Sequence, residues 1–177
     1  VLRGMILAGM NVARFNFSHG THPEHLARLE KLKALREELD RPVAAMLDTK
    51  GPEVRLRDFK DGKVRLTAGQ EFTLTTANIL GNETRCAISY SELPEDVKHG
   101  DTILLDDGLM ALRAESCGRA VTCTVTRGGV LESRKSITLP GVELCRPALT
   151  EQDLLDLDAA AGQGVTAVMQ PFVRSRH

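Results

Sequence analysis

The sequence is poor in aromatic residues and carries almost no net charge. Of its 177 residues none is Trp, one is Tyr and five are Phe, so the core must be built from aliphatic side chains. The formal net charge is −1, which gives no electrostatic reason to expect nucleic acid or an anionic membrane as a partner. No apolar run reaches the roughly 18 residues of a membrane span, and no signal-peptide pattern is present. We therefore expect a cytoplasmic protein that binds neither nucleic acid nor membrane.

The sequence also lacks the motifs of several common binding sites. Its cysteines, Cys86, Cys117, Cys123 and Cys145, form no Cys-x-x-Cys pair, which argues against a zinc site. We expect them to be reduced rather than paired in disulfides, as small buried or half-buried residues. Neither the Gly-x-x-x-x-Gly-Lys-[Ser/Thr] loop nor the Gly-x-Gly-x-x-Gly turn occurs. Any nucleotide would therefore be bound by other means.

What the sequence does contain is a polar segment at residues 9–20, GMNVARFNFSHG. Arg14, Asn16 and Ser18 are spaced by two, and residues two apart on an extended strand point to the same face. The pattern predicts a strand over residues 11–18 that presents a guanidinium, an amide and a hydroxyl together. Such a set suits a phosphate beside a metal ion. A half-solvated edge strand is the structural alternative.

Apolar spacing predicts the elements around this strand. Residues 1–8 are typical of a helix that ends at Gly9. A second helix is predicted from about Pro23 to Leu39, because leucines recur there at helical spacing and Arg41-Pro42 follows. Residues 43–48 form a continuous apolar run ending in a carboxylate, as in a buried parallel strand. Alternating helix and strand indicates an α/β fold.

From about residue 54 to residue 140 the pattern changes to short β segments separated by turns. No long helix is predicted there, which favours a separate all-β domain that closes into a barrel. The predicted strands are Lys63–Leu66, Glu71–Thr76, Thr102–Asp106, Met110–Ala114 and Ala120–Thr126.

The α/β pattern returns after Pro147. Thr150 suits a helix N-cap, with Asp153 as its capping partner. The predicted boundaries are a first α/β part at 1–52, an inserted β domain at 53–146 and a second α/β part at 147–177. The helix after Thr150 is expected to bury Leu154, Leu155, Leu157 and Ala161, and a buried strand is expected at Val165–Met169.

A second polar motif, DTKGPEVR at residues 48–55, follows the second predicted strand. In α/β barrels functional groups gather at the carboxyl ends of strands, where both motifs lie. Ser18, Asp48 and Thr49 offer hard oxygen ligands for a monovalent or divalent cation. Arg14 and Arg55 could bind phosphate oxygens. In the structural alternative, Asp48 caps a turn while Lys50 and Arg55 are solvated.

Two further patterns are weaker. His19, His22 and His25 are spaced by three, but they span a loop and a helix start with Pro23 between them, so we favour a solvated helix start over a metal site. Asp106-Asp107-Gly108 resembles an acidic metal site, but within a β-rich segment it is more often a hairpin turn.

The two long motifs, with four shorter ones in the same order, resemble the pyruvate kinase family. The matches cover nearly the whole chain, and the two long ones are highly specific. The matching segments are Gly9–Gly20 (GMNVARFNFSHG), Leu47–Arg55 (LDTKGPEVR), Leu105–Leu109 (LDDGL), Leu139-Pro140-Gly141, Pro147–Asp153 (PALTEQD) and Phe172-Val173-Arg174.

The resemblance implies a fold and a role for each site residue. The family folds as a (β/α)8 TIM barrel with a β-barrel domain inserted after the third strand, so this chain would be a partial barrel interrupted by an all-β domain. Arg14 would contact the transferring phosphoryl group. Asn16, Ser18, Asp48 and Thr49 would form a potassium site, while Asn16, Ser18 and His19 would lie at the nucleotide phosphates, which Arg55 and Lys135 would reach when the inserted domain closes.

The implied reaction transfers phosphate from phosphoenolpyruvate to ADP, giving pyruvate and ATP in glycolysis, with K⁺ and Mg²⁺ as cofactors. Glu53 is similar to the residue of potassium-dependent members. Family members are usually homotetramers, and this sequence does not indicate the oligomeric state of the present chain.

The sequence also departs from the family pattern. The motifs with the catalytic lysine (Lys-Ile-Glu-Asn) and the magnesium-binding acids (Ala-Arg-Gly-Asp-Leu-Gly) do not occur, so the isolated chain is expected to be inactive. The family usually has Ser, Asn and Gly at the positions of Pro171, Thr138 and Ser136.

The alternative function is a non-catalytic module that binds ions or nucleotide phosphate. Another phosphoenolpyruvate-handling barrel is disfavoured by the inserted domain. Because three barrel strands leave open edges, we predict that only the β domain is stable alone.

Overall fold

The computed structural model describes residues 1–173, and in it the chain forms two compact units. One unit contains Val1–Pro52 and the chain from Pro147 onward, and the other contains Glu53–Arg146. Arg174, the last residue of the Phe172-Val173-Arg174 motif, lies outside the described residues. Among residues 1–173, no helix combines the length and the apolar character needed to cross a bilayer.

Helices and strands alternate in the first unit, whereas the second is almost entirely β. The helices are α1 (Leu2–Leu7), α2 (His22–Leu39), α3 (Leu93–Asp96) and α4 (Glu151–Ala160). The strands are β1 (Val12–Asn16), β2 (Ala44–Asp48), β3 (Val54–Arg55), β4 (Lys63–Leu66), β5 (Glu71–Thr75), β6 (Arg85–Ala87), β7 (Thr102–Leu105), β8 (Met110–Cys117), β9 (Ala120–Arg127), β10 (Gly129–Glu132), β11 (Ser136–Thr138) and β12 (Ala167–Met169).

The first unit is built on a three-stranded parallel sheet in the order β1-β2-β12. The α/β fold class and the parallel pairing expected from the apolar run at 43–48 are therefore confirmed. In this register Asn16 and Met169 both lie beside Asp48. Parallel pairing places the carboxyl ends of all three strands at one edge of the sheet, and that edge carries the two polar motifs.

Helix α2 begins and ends at signals that the sequence displays. Thr21 and Glu24 form a capping box, so the helix starts at His22, one residue before the predicted Pro23. Its last residue is Leu39, and the N–H of the C-cap Asp40 donates to the carbonyl of Arg36. The left-handed backbone of Asp40 (φ 48°) brings the N–H of Arg41 to the same carbonyl at 3.2 Å and ends the helix. The buried aliphatic core of this unit comprises Ile6, Leu29, Leu32, Val43 and Ala45.

The prediction for α4 was right about its start and wrong about its buried face. The Thr150–Asp153 capping box is present, but Leu154 and Leu155 are 56% and 59% exposed, whereas Asp153 and Asp156 are buried. The carboxylates can be buried because both accept hydrogen bonds, Asp153 from Gly51 and Thr150 and Asp156 from Gln152. Hydrogen bonding to the rest of the unit, rather than apolar spacing, therefore decides which face α4 turns inward.

The strand predicted at Val165–Met169 is shorter and more exposed than expected. Strand β12 begins only at Ala167, and Val168 is 53% exposed. It lies at an edge of the three-stranded sheet, paired with β2 on one side. A strand covered on one side only does not bury its apolar run, and that accounts for the difference.

The second unit contains a seven-stranded sheet in the order β3-β11-β7-β8-β9-β5-β6 and a separate β10-β4 pair. All five predicted strands are present, with β8 and β9 longer than expected. Along β9 the side chains of Val121, Cys123 and Val125 are buried in alternation, the period-two pattern of a sheet with one face on a core. That core is larger than the core of the first unit.

Asp106-Asp107-Gly108 forms the turn between β7 and β8, as predicted. All three residues have positive φ angles (50°, 52° and 86°), and the N–H of Leu109 donates to the carbonyl of Asp106 at 3.0 Å. Leu105 pairs with Met110 directly across the hairpin. Aspartate tolerates the left-handed region better than most residues, which suits it to this turn.

All four cysteines are free thiols, two buried and two exposed. Burial raises the pKa of Cys86 to about 11 and that of Cys123 to about 12, so both behave as small apolar residues at neutral pH. Cys117 and Cys145 are exposed, contrary to the expectation of buried or half-buried side chains. Both lie at the margins of the β unit, Cys117 at the end of β8 and Cys145 beyond β11.

Candidate functional site

The strand that carries the first polar motif is shorter than the predicted 11–18. Strand β1 ends at Asn16. The side-chain oxygen of Asn16, Oδ1, accepts a hydrogen bond from the N–H of Ser18 at 2.9 Å. The N–H of His19 donates to the carbonyl of Asn16 at 3.3 Å. Asparagine side chains compete in this way for nearby backbone groups and favour turns over strand continuation. Ser18 therefore lies in a turn, and strand alternation does not place it beside Arg14 and Asn16.

Arg14 and Asp48 form an ion pair at the carboxyl edge of the parallel sheet. Arg14 Nε donates to Asp48 Oδ2 at 2.7 Å, and Arg14 Nη2 contacts the same oxygen. The side chain of Asp48 is only 6% exposed, whereas that of Arg14 is 53% exposed. The pair thus compensates a buried carboxylate and holds a guanidinium that still reaches solvent. Sequence reasoning assigned these residues to a cation and a phosphate separately and did not predict their direct contact.

Thr49 lies beside the same edge and is held by β12. It is 2% exposed; its N–H donates to the carbonyl of Met169 at 3.2 Å, and its hydroxyl donates to the same carbonyl at 3.3 Å. The N–H of Phe17 donates to the carbonyl of Asp48 at 3.0 Å. The end of β2 is therefore anchored from both neighbouring segments of the chain.

The oxygen atoms of this edge fit a hard cation of low charge. Asn16 offers an amide oxygen, Thr49 offers a hydroxyl, and Asp48 offers one carboxylate, already balanced in part by Arg14. Ser18 offers a second hydroxyl from the turn that follows β1. Neutral oxygen donors with a single carboxylate suit potassium better than a small divalent ion. Among residues 1–173, no group of three or more His, Cys, Asp or Glu side chains is arranged to hold a metal ion. Asn16, Ser18, Asp48 and Thr49 could therefore hold a monovalent cation, and the described residues contain no acidic cluster for a divalent ion.

The three histidines near this edge have three different environments. His25 is 4% exposed, so it is not part of the solvated helix start that the sequence suggested, and its Nε2 lies 2.7 Å from the carbonyl oxygen of His19. His22 Nε2 lies 2.6 Å from Asp156 Oδ1. The side chain of His19 is exposed, whereas its backbone is engaged: the N–H donates to the carbonyl of Asn16, and the carbonyl oxygen contacts Nε2 of His25. The even spacing in sequence therefore does not produce a common ligand set.

Sequence reasoning missed Asp153 as a support for the DTKGPEVR motif. Besides capping α4, Asp153 accepts a hydrogen bond from the N–H of Gly51 at 3.0 Å, where the backbone is left-handed (φ 67°). Burial by itself would raise the pKa of Asp153, but hydrogen bonds from Thr150, Gly51 and Lys50 outweigh it, and the pKa is lowered. The capping-box pattern locates Asp153, but its second partner is about 100 residues away and leaves no local signal.

We expect the Asp153→Asn variant to lose about 1–3 kcal/mol of stability in the first unit, because an amide cannot accept all of these N–H and O–H donors. Since the pKa of the folded state is lowered, the wild-type contribution is present above the unfolded pKa of about 3.9 and is lost as the pH falls below it. The measurement is amide exchange in segment 49–52 from neutral to acidic pH.

The variant should show a shallower pH dependence below about pH 4 than the wild type. The control is Asp158→Asn, on an exposed position of the same helix. Equal pH slopes for Asp153→Asn and the wild type would contradict the assignment.

Arg55 and Lys135 belong to the second unit, where the structure brings them to neighbouring strands. Arg55 pairs with Ser136 across β3 and β11, and the N–H of Leu56 donates to the carbonyl of Lys135 at 3.0 Å. Both side chains are engaged with carboxylates, Arg55 Nε with Glu53 Oε2 at 2.7 Å and Lys135 Nζ with Asp106 Oδ1 at 3.1 Å.

The contact with Asp106 raises the pKa of Lys135, so Lys135 is cationic at neutral pH. Sequence reasoning missed Asp106 as a counter-ion, because it assigned that residue only to the hairpin turn. Glu132 also lies near the ammonium group, with its Oε2 3.7 Å from Lys135 Nζ. Arg55 and Lys135 are thus two neighbouring cationic side chains of the β unit, and each is paired with a carboxylate.

The comparisons with known proteins agree with the motifs. The family model described as pyruvate kinase, barrel domain, matches residues 1–177. A pyruvate kinase of Clostridium acetobutylicum is 44% identical over 176 residues, which is 98% of this chain and 37% of that protein. A pyruvate kinase of Staphylococcus aureus is 38% identical over 177 residues, or 98% of this chain and 30% of that protein.

A solved structure shows the same relationship in three dimensions. The crystal structure of a pyruvate kinase from Cryptosporidium parvum superposes with a TM-score of 0.87 at 35% sequence identity. The alignment covers 97% of this chain and 36% of that chain. The chain therefore spans about a third of the length of the proteins it resembles.

Proposed function

Because this chain belongs to the pyruvate kinase family, we propose that it supplies the phosphate- and potassium-binding part of a site that transfers phosphate from phosphoenolpyruvate to ADP, giving pyruvate and ATP. The observation that carries the proposal is the meeting of Arg14 and Asn16 with Asp48 and Thr49 at the carboxyl edge of one parallel sheet. In this proposal the protein works in glycolysis, in the cytoplasm.

In this site Arg14 binds the transferring phosphoryl group. Phosphoryl transfer depends on positioning and on neutralising charge spread over the phosphate oxygens, which a guanidinium does with several parallel N–H donors. Asp48 holds the Nε side of Arg14, so the guanidinium is oriented before substrate arrives. The half-exposed remainder of the group is left for the phosphate.

Asn16, Ser18, Asp48 and Thr49 would hold the potassium ion. When bound, K⁺ would supply positive charge beside the phosphate oxygens without demanding a rigid geometry. Asp48 then has two neighbours of positive charge, Arg14 and the ion, which is consistent with its being a buried carboxylate. Mg²⁺ is a cofactor of the proposed reaction, but the described residues offer it no acidic cluster, and we derive no step through it.

Within the first unit we propose that Asn16, Ser18 and His19 contact nucleotide phosphate. For the second unit, taken by itself, we propose Arg55 and Lys135 as phosphate-binding residues. In the structure Arg55 and Lys135 are paired with Glu53 and Asp106, and their side chains are 43% and 34% exposed. Ion pairs at such partly exposed positions contribute only about 0–1 kcal/mol each, so a phosphate can compete with these carboxylates.

The proposed architecture follows the same resemblance. Residues 1–52 and 147–177 would be part of a (β/α)8 TIM barrel, and residues 53–146 would be an all-β barrel domain inserted into it. The exposed apolar side chains of Leu154, Leu155 and Val168 support this proposal, because they lie on elements that a complete barrel would cover on a further side.

The proposal is tested with a chimaera, the C. acetobutylicum pyruvate kinase in which residues 1–177 of this chain replace the matching segment. We expect the chimaera to form pyruvate from phosphoenolpyruvate and ADP, with more activity in K⁺ than in Na⁺. A matched chimaera with Pro171→Ser tests the departure from the family pattern just after β12. We expect it to be at least as active as the chimaera with Pro171, because serine returns a hydroxyl and a backbone N–H.

The 177-residue chain alone is expected to show no turnover, because it contains neither Lys-Ile-Glu-Asn nor Ala-Arg-Gly-Asp-Leu-Gly. Turnover by the isolated chain would contradict this part of the proposal. A chimaera that folds and binds K⁺ but does not form pyruvate would instead favour the alternative, a non-catalytic module for ions or nucleotide phosphate.

A further inference from the structure

His25 is a buried residue of α2 that contacts the turn after β1 at two points. Its Nε2 lies 2.7 Å from the carbonyl oxygen of His19. Its ring stacks on Phe17, with ring centroids 4.2 Å apart and planes 12° from parallel, and it meets Phe15 edge-on at 6.5 Å. The residue between these two contacts is Ser18. His25 therefore contacts the turn at the residues before and after Ser18.

Packing alone does not explain an imidazole at this position. A carbonyl oxygen can only accept, so Nε2 carries the ring proton and donates it to His19. The other ring nitrogen, Nδ1, is buried and has no hydrogen-bond partner among residues 1–173. A buried polar atom without a partner is unfavourable, and phenylalanine would stack without that penalty. What phenylalanine cannot supply is the bond to the His19 carbonyl.

That bond matters because the same turn brings two proposed cation ligands together. The N–H of Ser18 donates to Asn16 Oδ1 at 2.9 Å, so the amide oxygen of Asn16 and the hydroxyl of Ser18 belong to one local structure. The N–H of His19 also donates to the carbonyl of Asn16 at 3.3 Å, so a shift of the His19 backbone would move Asn16 and Ser18 relative to each other. For an ion with little geometric preference, that spacing decides which ionic radius is accepted.

We propose that His25 is a positioning residue that sets the geometry of the Asn16–His19 turn and thereby the preference of the site for K⁺ over the smaller Na⁺. The proposal rests on the proposed function, because it concerns the potassium site named there. It gives a role to one of the three evenly spaced histidines, for which the sequence pattern predicted only a solvated helix start.

The test compares the chimaera with its His25→Phe and His25→Gln variants. The first readout is the rise in melting temperature with added KCl, and separately with NaCl, at constant ionic strength. His25→Phe keeps the stack and loses the donor, so its half-saturating K⁺ concentration should rise about tenfold or more, as for other groups that orient a metal ligand. His25→Gln, whose Nε2 reaches a similar distance, should retain K⁺ affinity within about threefold of the parent.

The second readout is amide exchange in segment 16–19, which does not depend on any ion. We expect faster exchange of the Ser18 amide in His25→Phe than in His25→Gln. The control is Leu35→Ala, a half-buried position of the same helix that packs in the core around Leu32. It should lower the melting temperature and leave both the K⁺ response and the exchange of this segment unchanged.

The outcomes separate the inference from the function on which it rests. A parent chimaera that responds to K⁺, with an equal response and equal exchange in His25→Phe, overturns the role of His25 and leaves the potassium site in place. A parent that does not respond to K⁺ overturns the potassium site and, with it, the proposed selectivity. Faster exchange in His25→Phe would then still establish that His25 holds the turn.

Discussion

Replacing Arg14 with alanine in the chimaera is expected to lower kcat for pyruvate formation by about 10³-fold, the range found when a charge-stabilising donor is removed from a phosphoryl-transfer site. The physical reason is that the guanidinium reaches solvent at the edge where the proposed phosphate lies, while Asp48 fixes its direction. Each tenfold loss corresponds to about 1.4 kcal/mol, so the expected barrier increase is about 4 kcal/mol. The measurement is pyruvate formation at saturating phosphoenolpyruvate and ADP.

Two further variants separate charge from stability. Arg14→Lys keeps the charge but cannot present a planar fork to Asp48 and a phosphate together, so its kcat should fall between those of the parent and the alanine variant. Arg14→Ala also leaves the Asp48 carboxylate buried without its partner, which destabilises the fold. The double variant Arg14→Ala/Asp48→Asn should recover stability without recovering the rate.

Arg113→Ala is the control for loss of a surface arginine. Arg113 lies on β8, paired with Glu115 at 3.0 Å, with its side chain 55% exposed. It should leave kcat unchanged within about twofold, since surface ion pairs of this kind contribute little. A kcat of Arg14→Ala within tenfold of the parent, in a folded chimaera, would rule out contact between Arg14 and the transferring group.

In the isolated 177-residue chain, amides of β8 and β9 are expected to exchange on the order of 10³-fold more slowly than those of β1 and β2. The β unit has a continuous core that includes Phe72, Ile103 and Leu112, all fully buried. The three-stranded sheet of the other unit has open edges, and its helix α4 exposes two leucines. Fewer buried contacts lower the free energy of local opening.

Leu112→Ala is the matched control for this comparison. Truncating a fully buried leucine costs about 2–5 kcal/mol, so it should accelerate exchange throughout the β unit and leave β1 and β2 unchanged. Slow exchange throughout residues 11–18 and 43–48 in a monomeric chain would contradict the prediction. It would mean that the parallel sheet is stable without further strands.

Local signals were sufficient for the elements whose ends are set by their own side chains. The Thr150–Asp153 capping box gives the start of α4, and the glycine and aspartate turns give the β hairpins, whereas α2 starts at its Thr21 capping box, one residue before the start predicted from leucine spacing. Local spacing was insufficient where a side chain competes with the backbone pattern that the spacing predicts. Ser18 was placed on a strand because alternation was extended past Asn16, whose side chain in fact closes a turn.

The buried face of α4 shows the same limit on a larger scale. Apolar spacing favoured Leu154 and Leu155, yet Asp153 and Asp156 are the buried residues, since they accept hydrogen bonds from within α4 and its cap and from Gly51. A carboxylate can be buried when it accepts hydrogen bonds, and the donors need not be close in sequence, as Gly51 for Asp153 and His22 for Asp156 show. No periodicity within the helix contains that information.

The sequence by itself determined the family, the α/β class and the two polar motifs, because these depend on residue identity and short-range spacing. Only the tertiary structure decided how the motifs meet: that Arg14 pairs with Asp48, that Gly51 is held by Asp153 and that His25 holds the Ser18 turn. The Arg14 and Gly51 contacts join residues 34 and 102 positions apart. They form because parallel pairing and helix packing bring distant segments together, and each hydrogen bond ends on a carboxylate that is buried.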